Sequence, residues 1–179
     1  MTSRPTDTDT TKASTIQALN ALPESELRTQ LRACCAANTW VEGMLAARPY
    51  ADLADLHRQA ENLWPSLSEA DWLEAFDAHP QIGDINSLKA KYADTQATAG
   101  HEQAGASGAS DDVLQRLKTQ NEAYVARFGF IFIVCATGKS ATEMLELLEA
   151  RLPNTRAQEI DNAAREQAQI THLRLEKLL

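Results

Sequence analysis

The chain has 179 residues, 44% hydrophobic and 23% charged, the proportions of a globular domain that can bury a sizeable core without a metal or disulfide staple. Seventeen Lys and Arg against 25 Asp and Glu leave a net charge of −8, which argues against nucleic acid and against a polybasic membrane contact. In chain order, residues 1–13 read as a disordered tail: polar, Thr- and Asp-rich, with no apolar stretch that would serve as a leader or anchor. From 14 to 179 the composition stays that of one domain. Ser14 can cap a short helix carrying Ile16 and Leu19. Pro23 suits the start of a second helix, with Leu27 and Leu31 four apart. Asn38 is placed to cap a helix that Pro49 stops. Leu53, Leu56, Ala60 and Leu63 form an apolar stripe ending near Pro65. Ser68-x-x-Asp71 resembles a capping box, and Ser140-x-x-Glu143 is a full one. Ser110 can cap a long amphipathic run through Leu114, Leu117 and Tyr124. Thr155-x-x-Gln158 opens a last helix that runs nearly to Leu179.

One stretch breaks the helical pattern. Phe130 to Ala136 is continuously apolar and β-branched or aromatic, as in a strand or a buried helical segment. A strand would have nothing to pair with, so the expected architecture is all-α: a single compact domain of about eight helices. The region 79–110 is its major irregular part. Cys34, Cys35 and Cys135 are odd in number and two are adjacent. They read as buried free thiols in a reducing compartment, and a cytoplasmic location is the expectation. No apolar run is long enough to cross a membrane.

Several segments can carry chemistry. His79 precedes Pro80, which pushes it out of helical geometry, and Gly83 permits a turn beyond. That puts an imidazole at a corner, suited either to proton transfer or to the dipole at a helix end. Glu102 and Gln103 lie among Gly and Ala. A carboxylate beside a carboxamide can hold a flat, amide-rich ligand, or the pair can be solvated loop. Gly138-Lys139-Ser140 fails as a phosphate loop, because the position that needs the first glycine is Ile133. The apolar run before it can still offer backbone N–H groups to a ligand. Arg174 falls within about 40° of Ile160, Ile170 and Leu178 on a helical projection, so it must meet an anion or reach the rim. His57, His79, His101 and His172 form no recognised metal motif, and the expected metal content is none.

Taken together, these segments resemble the OHCU decarboxylase family, OHCU being 2-oxo-4-hydroxy-4-carboxy-5-ureidoimidazoline. The resemblance spans roughly Ile16 to Leu179. It rests on Ala78-His79-Pro80-x-Ile82-Gly83, Glu102-Gln103-Ala104-Gly105, Phe128-Gly129-Phe130-x-Phe132-Ile133 and Gly138-Lys139-Ser140, with Asn38-Thr39-Trp40-Val41 and Leu173-Arg174-Leu175 in support. It implies a cofactor-free, all-helical homodimer that converts OHCU to (S)-allantoin and CO₂ in urate degradation. His79 matches the family's catalytic histidine, and Glu102 its acid. Pro80, Gln103, Arg174 and Ile133 match substrate-binding positions. The family often has Ser where this chain has Ala99, and Thr98 is the neighbouring hydroxyl that can replace it. The readings left open beside it are a non-catalytic helical module that binds a ureide or purine metabolite, and a helical interaction domain.

Overall fold

A computed structural model describes residues 15–80 and 110–179. Among the described residues there are eight α-helices, one short 3-10 turn and no strand. They are α1 over 15–21, α2 (Glu24–Cys34), α3 (Asn38–Ala46), α4 (Leu53–Leu63), the 3-10 turn Trp64–Ser66, α5 (Glu69–Asp77), α6 (Asp111–Phe128), α7 (Ala141–Arg151) and α8 (Arg156–Lys177). The all-helical reading therefore holds. The residues 1–14 and 81–109, including the expected tail and Ser14, lie outside the described set. The chain forms two compact units, one of residues 1–78 with 164–179 and one of residues 79–163.

In the first unit, α3 packs on α2, α4 and α5. Leu27 and Leu31 on α2, Trp40, Val41 and Met44 on α3, Leu56 on α4 and Phe76 on α5 are all fully buried. Each large apolar side chain so buried contributes about 1.5–3 kcal/mol. Gly43 lets α3 and α4 approach closely, since a Cβ there would meet the Leu63 methyls at 2.8 and 3.0 Å. Asn38 does not cap α3 with its side chain. The cap residue is Ala37, and the Asn38 N–H donates to Glu74 Oε1 at 3.3 Å. A carboxylate from α5 thus takes an N–H of the first turn, where anionic charge is favoured. Ser68 and Asp71 make the expected capping box on α5.

A polar knot joins the connections of this unit. The Asn20 amide donates to the Tyr50 carbonyl and accepts from the Tyr50 N–H, both at 2.9 Å. Arg48 Nη1 donates to the Leu22 carbonyl at 2.7 Å, and the Tyr50 hydroxyl to the Met44 carbonyl at 2.6 Å. The Arg48–Pro49 peptide is cis.

The second unit is built on α6 and α7, which pack along their lengths. Ser110 and Ser140 cap them as expected. Leu114, Leu117, Tyr124 and Phe128 form the buried face of α6. Gly129 ends that helix at φ +82°, a left-handed conformation glycine adopts without a Cβ clash, and its N–H donates to the Val125 carbonyl at 2.8 Å. The segment after it is neither strand nor helix but irregular. Side chains do there what a neighbouring strand would do. Arg151 Nη1 donates to the Ile133 carbonyl at 2.8 Å, and Lys139 Nζ to the Cys135 carbonyl at 2.7 Å.

Glu159 ties these pieces together. Its carboxylate is wholly buried and accepts four hydrogen bonds: from the Tyr124 hydroxyl at 2.6 Å, Arg151 Nε at 2.7 Å, Asn154 Nδ2 at 2.9 Å and Asn162 Nδ2 at 2.7 Å. Burial alone would raise its pKa, but the four donors outweigh burial and hold the carboxyl below its ordinary value. The same burial and the bond to Glu159 push the Tyr124 phenol far up, so it stays a donor. Arg151 is also seated over the Phe132 ring, 4.6 Å from its centroid. Glu159→Gln would leave the Arg151 guanidinium without its counter-charge. The variant is expected to lose about 3–5 kcal/mol in urea unfolding. Because the folded carboxyl has the lower pKa, its contribution is full above the unfolded value of about 4.3 and is lost as pH falls through the folded one. The stability gap between wild type and Glu159→Gln should therefore narrow on acidification below about pH 4; a gap constant with pH would contradict the assignment.

Candidate functional site

His79 directly follows the end of α5. The helix stops at Asp77, Ala78 is its cap residue, and His79 lies in a bend, half-buried, with Pro80 exposed next to it. The break is the one expected for a residue before proline. Ile133 is buried in the irregular segment after α6, and its carbonyl is occupied by Arg151. What it retains for a ligand is its backbone N–H. His79, Pro80 and Ile133 belong to the second unit, and Arg174 belongs to the first. Thr98, Glu102 and Gln103 lie outside the described residues.

Arg174 resolves its position on α8 in a way the sequence reading did not contain. Among the described residues it neither pairs with a carboxylate nor runs bare to the rim. Its Nη1 donates to the Ala33 and Cys34 carbonyls, at 3.4 and 3.5 Å. These close the last turn of α2, where carbonyls lack helical partners and the helix dipole favours a cation. Both bonds are long, and among the described residues Nε and Nη2 make none, so the guanidinium keeps donors for a further acceptor. The contact was not legible from α8, because the acceptors are backbone atoms of a distant helix.

Around Arg174 the first unit is polar and buried. Gln167 Nε2 donates to Thr171 Oγ1 at 3.2 Å, both inside the protein. Together with Leu175 they follow a four-residue spacing along α8, the face that turns inward. The Cys34 thiol is pushed up to about 11, by burial first, against the opposing pull of the Arg174 charge. Cys35 is likewise raised to about 11 by burial, with the Ala37 backbone and the Thr171 hydroxyl acting in the other direction. Neither is a nucleophile at neutral pH.

Three possible ligand groups do converge in the fold, although the sequence around the histidines carries no recognised metal motif. The ligand atoms of His57, His172 and Glu176 all lie within 4.8 Å of one another. The signal was present in the sequence as His57-x-x-x-Glu61 and His172-x-x-x-Glu176, each pair one helical turn apart.

The described residues thus define an all-helical protein that offers an imidazole at a proline-bounded helix end and a guanidinium at a helix C-terminus. The model of the family "OHCU decarboxylase" matches residues 20–176, and the chain belongs to that family. It is 33% identical to the uric acid degradation bifunctional protein TTL of Arabidopsis thaliana over 82% of this chain and 45% of that one. It is 30% identical to the 2-oxo-4-hydroxy-4-carboxy-5-ureidoimidazoline decarboxylase of Amia calva over 75% of this chain and 76% of that one. A crystal structure of an OHCU decarboxylase in the presence of (S)-allantoin superposes with a TM-score of 0.66 at 34% identity, covering 82% of this chain and 94% of that chain. The chain spans less than half the length of the bifunctional relatives it matches.

All three cysteines are buried. With Cys34 and Cys35 held protonated, a disulfide reagent at pH 7–8 is expected to find no rapidly reacting thiol in the folded protein. All three should titrate once the chain is unfolded in guanidinium. Fast modification of one or two thiols in the native state would refute the burial described for that pair.

Proposed function

We propose that this chain catalyses the decarboxylation of OHCU to (S)-allantoin and CO₂ in urate degradation, as a cytoplasmic homodimer that needs no cofactor. The observation that carries the reading is the family match along residues 20–176. The position of His79 in a bend after α5, half-buried beside Pro80, supports its part in it. For location, the support is the chain's membership of a urate-degrading family and the free, buried cysteines. Among the described residues no helix is long and apolar enough to cross a membrane. The dimer rests on the family resemblance.

The substrate carries its own electron sink. Its carboxylate sits on the carbon that bears the hydroxyl, beside a C=N bond. When the C–C bond to the carboxylate breaks, the electron pair moves toward that C=N unit and CO₂ departs. No pyridoxal or thiamine is needed to accept it. What the protein must manage is the protons: the nitrogen of the former C=N unit takes one as it receives the electron pair, the hydroxyl loses one and the adjacent carbon gains one, a net uptake of one from solvent. His79 takes the hydroxyl proton as the carbonyl forms. A proton must then reach one face of the adjacent carbon, which fixes the S configuration. Glu102 orients the ring N–H groups and is the candidate donor, and Gln103 satisfies the ureide with both a donor and an acceptor. Arg174 holds a substrate oxygen with the N–H groups it does not spend on the Ala33 and Cys34 carbonyls. Thr98 and Pro80 border the ligand, and Ile133 offers its backbone N–H.

Circular dichroism, followed while OHCU is generated in situ from urate, tests the activity. An allantoin signal of a single sign that rises faster with the protein than without it is the expected result; a racemic product at the uncatalysed rate would rule the activity out. His79→Asn keeps a polar side chain of similar size but cannot shuttle the proton, and should lower kcat by about 10²–10⁴. Arg174→Ala should act mainly on KM, through a lost charge-assisted contact. Retention of most of kcat in His79→Asn with a raised KM would make His79 a positioning group and pass proton transfer to Glu102.

A further inference from the structure

His57 is a histidine that the proposed reaction does not use, and its surroundings are unusual. It projects from α4, with only 11% of its side chain exposed. Both ring nitrogens are shut off from solvent, and neither has a hydrogen-bond partner among the described residues. A buried polar atom without a partner costs about 1–3 kcal/mol, and native structures keep few of them. The His57 ring lies face to face with that of His172 on α8, 3.7 Å between centroids and 20° from parallel. Glu176, one turn after His172, places Oε1 3.3 Å from His172 Nε2 and 3.8 Å from His57 Nε2. On the other side of the His172 ring, Nδ1 is 3.7 Å from Glu61 Oε1.

We propose that His57, His172 and Glu176 form a binding site for a borderline divalent metal of the Zn²⁺ type. The ligands would be the two Nε2 atoms and the Glu176 carboxylate, and Glu61 would orient His172 through Nδ1. Two imidazoles and one carboxylate are a donor set for zinc, cobalt, nickel or copper, and not for magnesium or calcium, which require oxygen ligands. Metal–ligand bonds of about 2.0–2.2 Å in a tetrahedron put ligand atoms roughly 3.3 Å apart. The Glu176–His172 spacing of 3.3 Å already meets this, and the His57–Glu176 spacing of 3.8 Å lacks only a small closure. Stacked rings direct their lone pairs side by side, so binding turns at least one ring about its Cβ–Cγ bond, a soft torsion. A carboxylate on the far nitrogen of a ligating histidine is the usual outer partner in such sites. Burial first, and then the neighbouring His172, lower the His57 pKa, which keeps the ring neutral and able to ligate. The fourth position is left to water. The ion would pin α4 to the end of α8 within the first unit, and it takes no part in the decarboxylation.

The test uses the full chain, stripped with a chelator and exchanged into chelator-free buffer. Titration with Co²⁺ should give the visible absorption of a four-coordinate site at one ion per chain, without the charge-transfer band of a thiolate ligand. Zn²⁺ should displace it and raise Tm by a few degrees. His172→Ala and Glu176→Gln alter half-exposed side chains, so the fold should persist; both should abolish the cobalt spectrum and the Tm shift. Glu61→Gln should bind about 10–100-fold more weakly. Imidazole ¹⁵N resonances of the wild-type protein answer the same question without a substitution, since two of the four histidines should respond to Zn²⁺. The proposal fails if no stoichiometric Co²⁺ site forms, if a thiolate band appears, or if His172→Ala and Glu176→Gln bind as wild type does. Turnover is not read in any arm, so the result stands apart from the fate of the proposed reaction.

Discussion

The second unit depends on the burial of one carboxylate. Glu159 is inaccessible to water and ionised, a state that costs several kcal/mol in the protein interior unless it is paired and hydrogen-bonded. Its four donors come from α6, from the end of α7, from the turn between α7 and α8, and from α8 itself. Each donor is therefore fixed to a specific place by the same group. Arg151 extends the constraint one step further. Its Nε serves Glu159 and its Nη1 serves the Ile133 carbonyl, so the carboxylate indirectly sets the path of the irregular segment after α6. Apolar packing alone would hold Phe130 and Ile133 inside without fixing which backbone groups they present.

The last helix plays this anchoring part twice, once in each unit. Its first turns supply Glu159 to the network of the second unit. Its later turns supply Gln167, Thr171 and Leu175 to the interior of the first, with the half-buried Arg174 beside them. The two halves solve the burial of polar groups differently. Glu159 is an anion that gathers neutral and cationic donors. Arg174 is a cation that uses the free carbonyls of a helix end. The second arrangement is weaker, with contacts of 3.4 and 3.5 Å, and that suits a residue proposed to share its donors with a substrate.

Local chemistry made much of this legible in the sequence. Ser68, Ser110, Ser140 and Thr155 announce helix starts because their hydroxyls satisfy orphan N–H groups three residues on, and all four do so. Asn38 misleads for the same reason: it is a good capping type, but Ala37 holds the cap position and Glu74, 36 positions away, takes the Asn38 N–H. The segment 130–136 was read as strand or buried helix because its apolar run matches both. Its actual conformation depends on Arg151 and Lys139 capping its carbonyls, which no local pattern encodes. Glu159 is an acid in the first turn of a helix, and nothing in its sequence neighbours marks it as wholly buried. Of the candidate site, His79 and Arg174 stood out by the company of Pro80 and by an inward helical face. The histidine pairing across α4 and α8 went unread, because it needs two i, i+4 pairs to be brought together by the fold.

The ionisable groups inside the protein also narrow where proton chemistry can occur. Glu159 is locked ionised by four donors, and Tyr124 is locked neutral as one of them. Cys34 and Cys35, raised to about 11, hold their protons at any neutral pH. Asp55 is held ionised by the Ala51 N–H and its other donors, and Asp71 by the Thr39 and Ser68 hydroxyls. Groups fixed this firmly in one protonation state serve structure and cannot cycle a proton on each turnover. The proposed decarboxylation, in which a hydroxyl gives up a proton while a carbon and a ring nitrogen each take one, needs a group whose two states are close in free energy near pH 7, and histidine is the residue type that meets this condition. His57 has its pKa lowered in a sealed stack, which fits a ligand better than a shuttle. His79, half-buried at a helix end, keeps the partial access to solvent that a shuttle requires. The division of labour follows from burial: where the protein encloses a titratable group, it fixes the charge, and only where it leaves an opening can a proton pass.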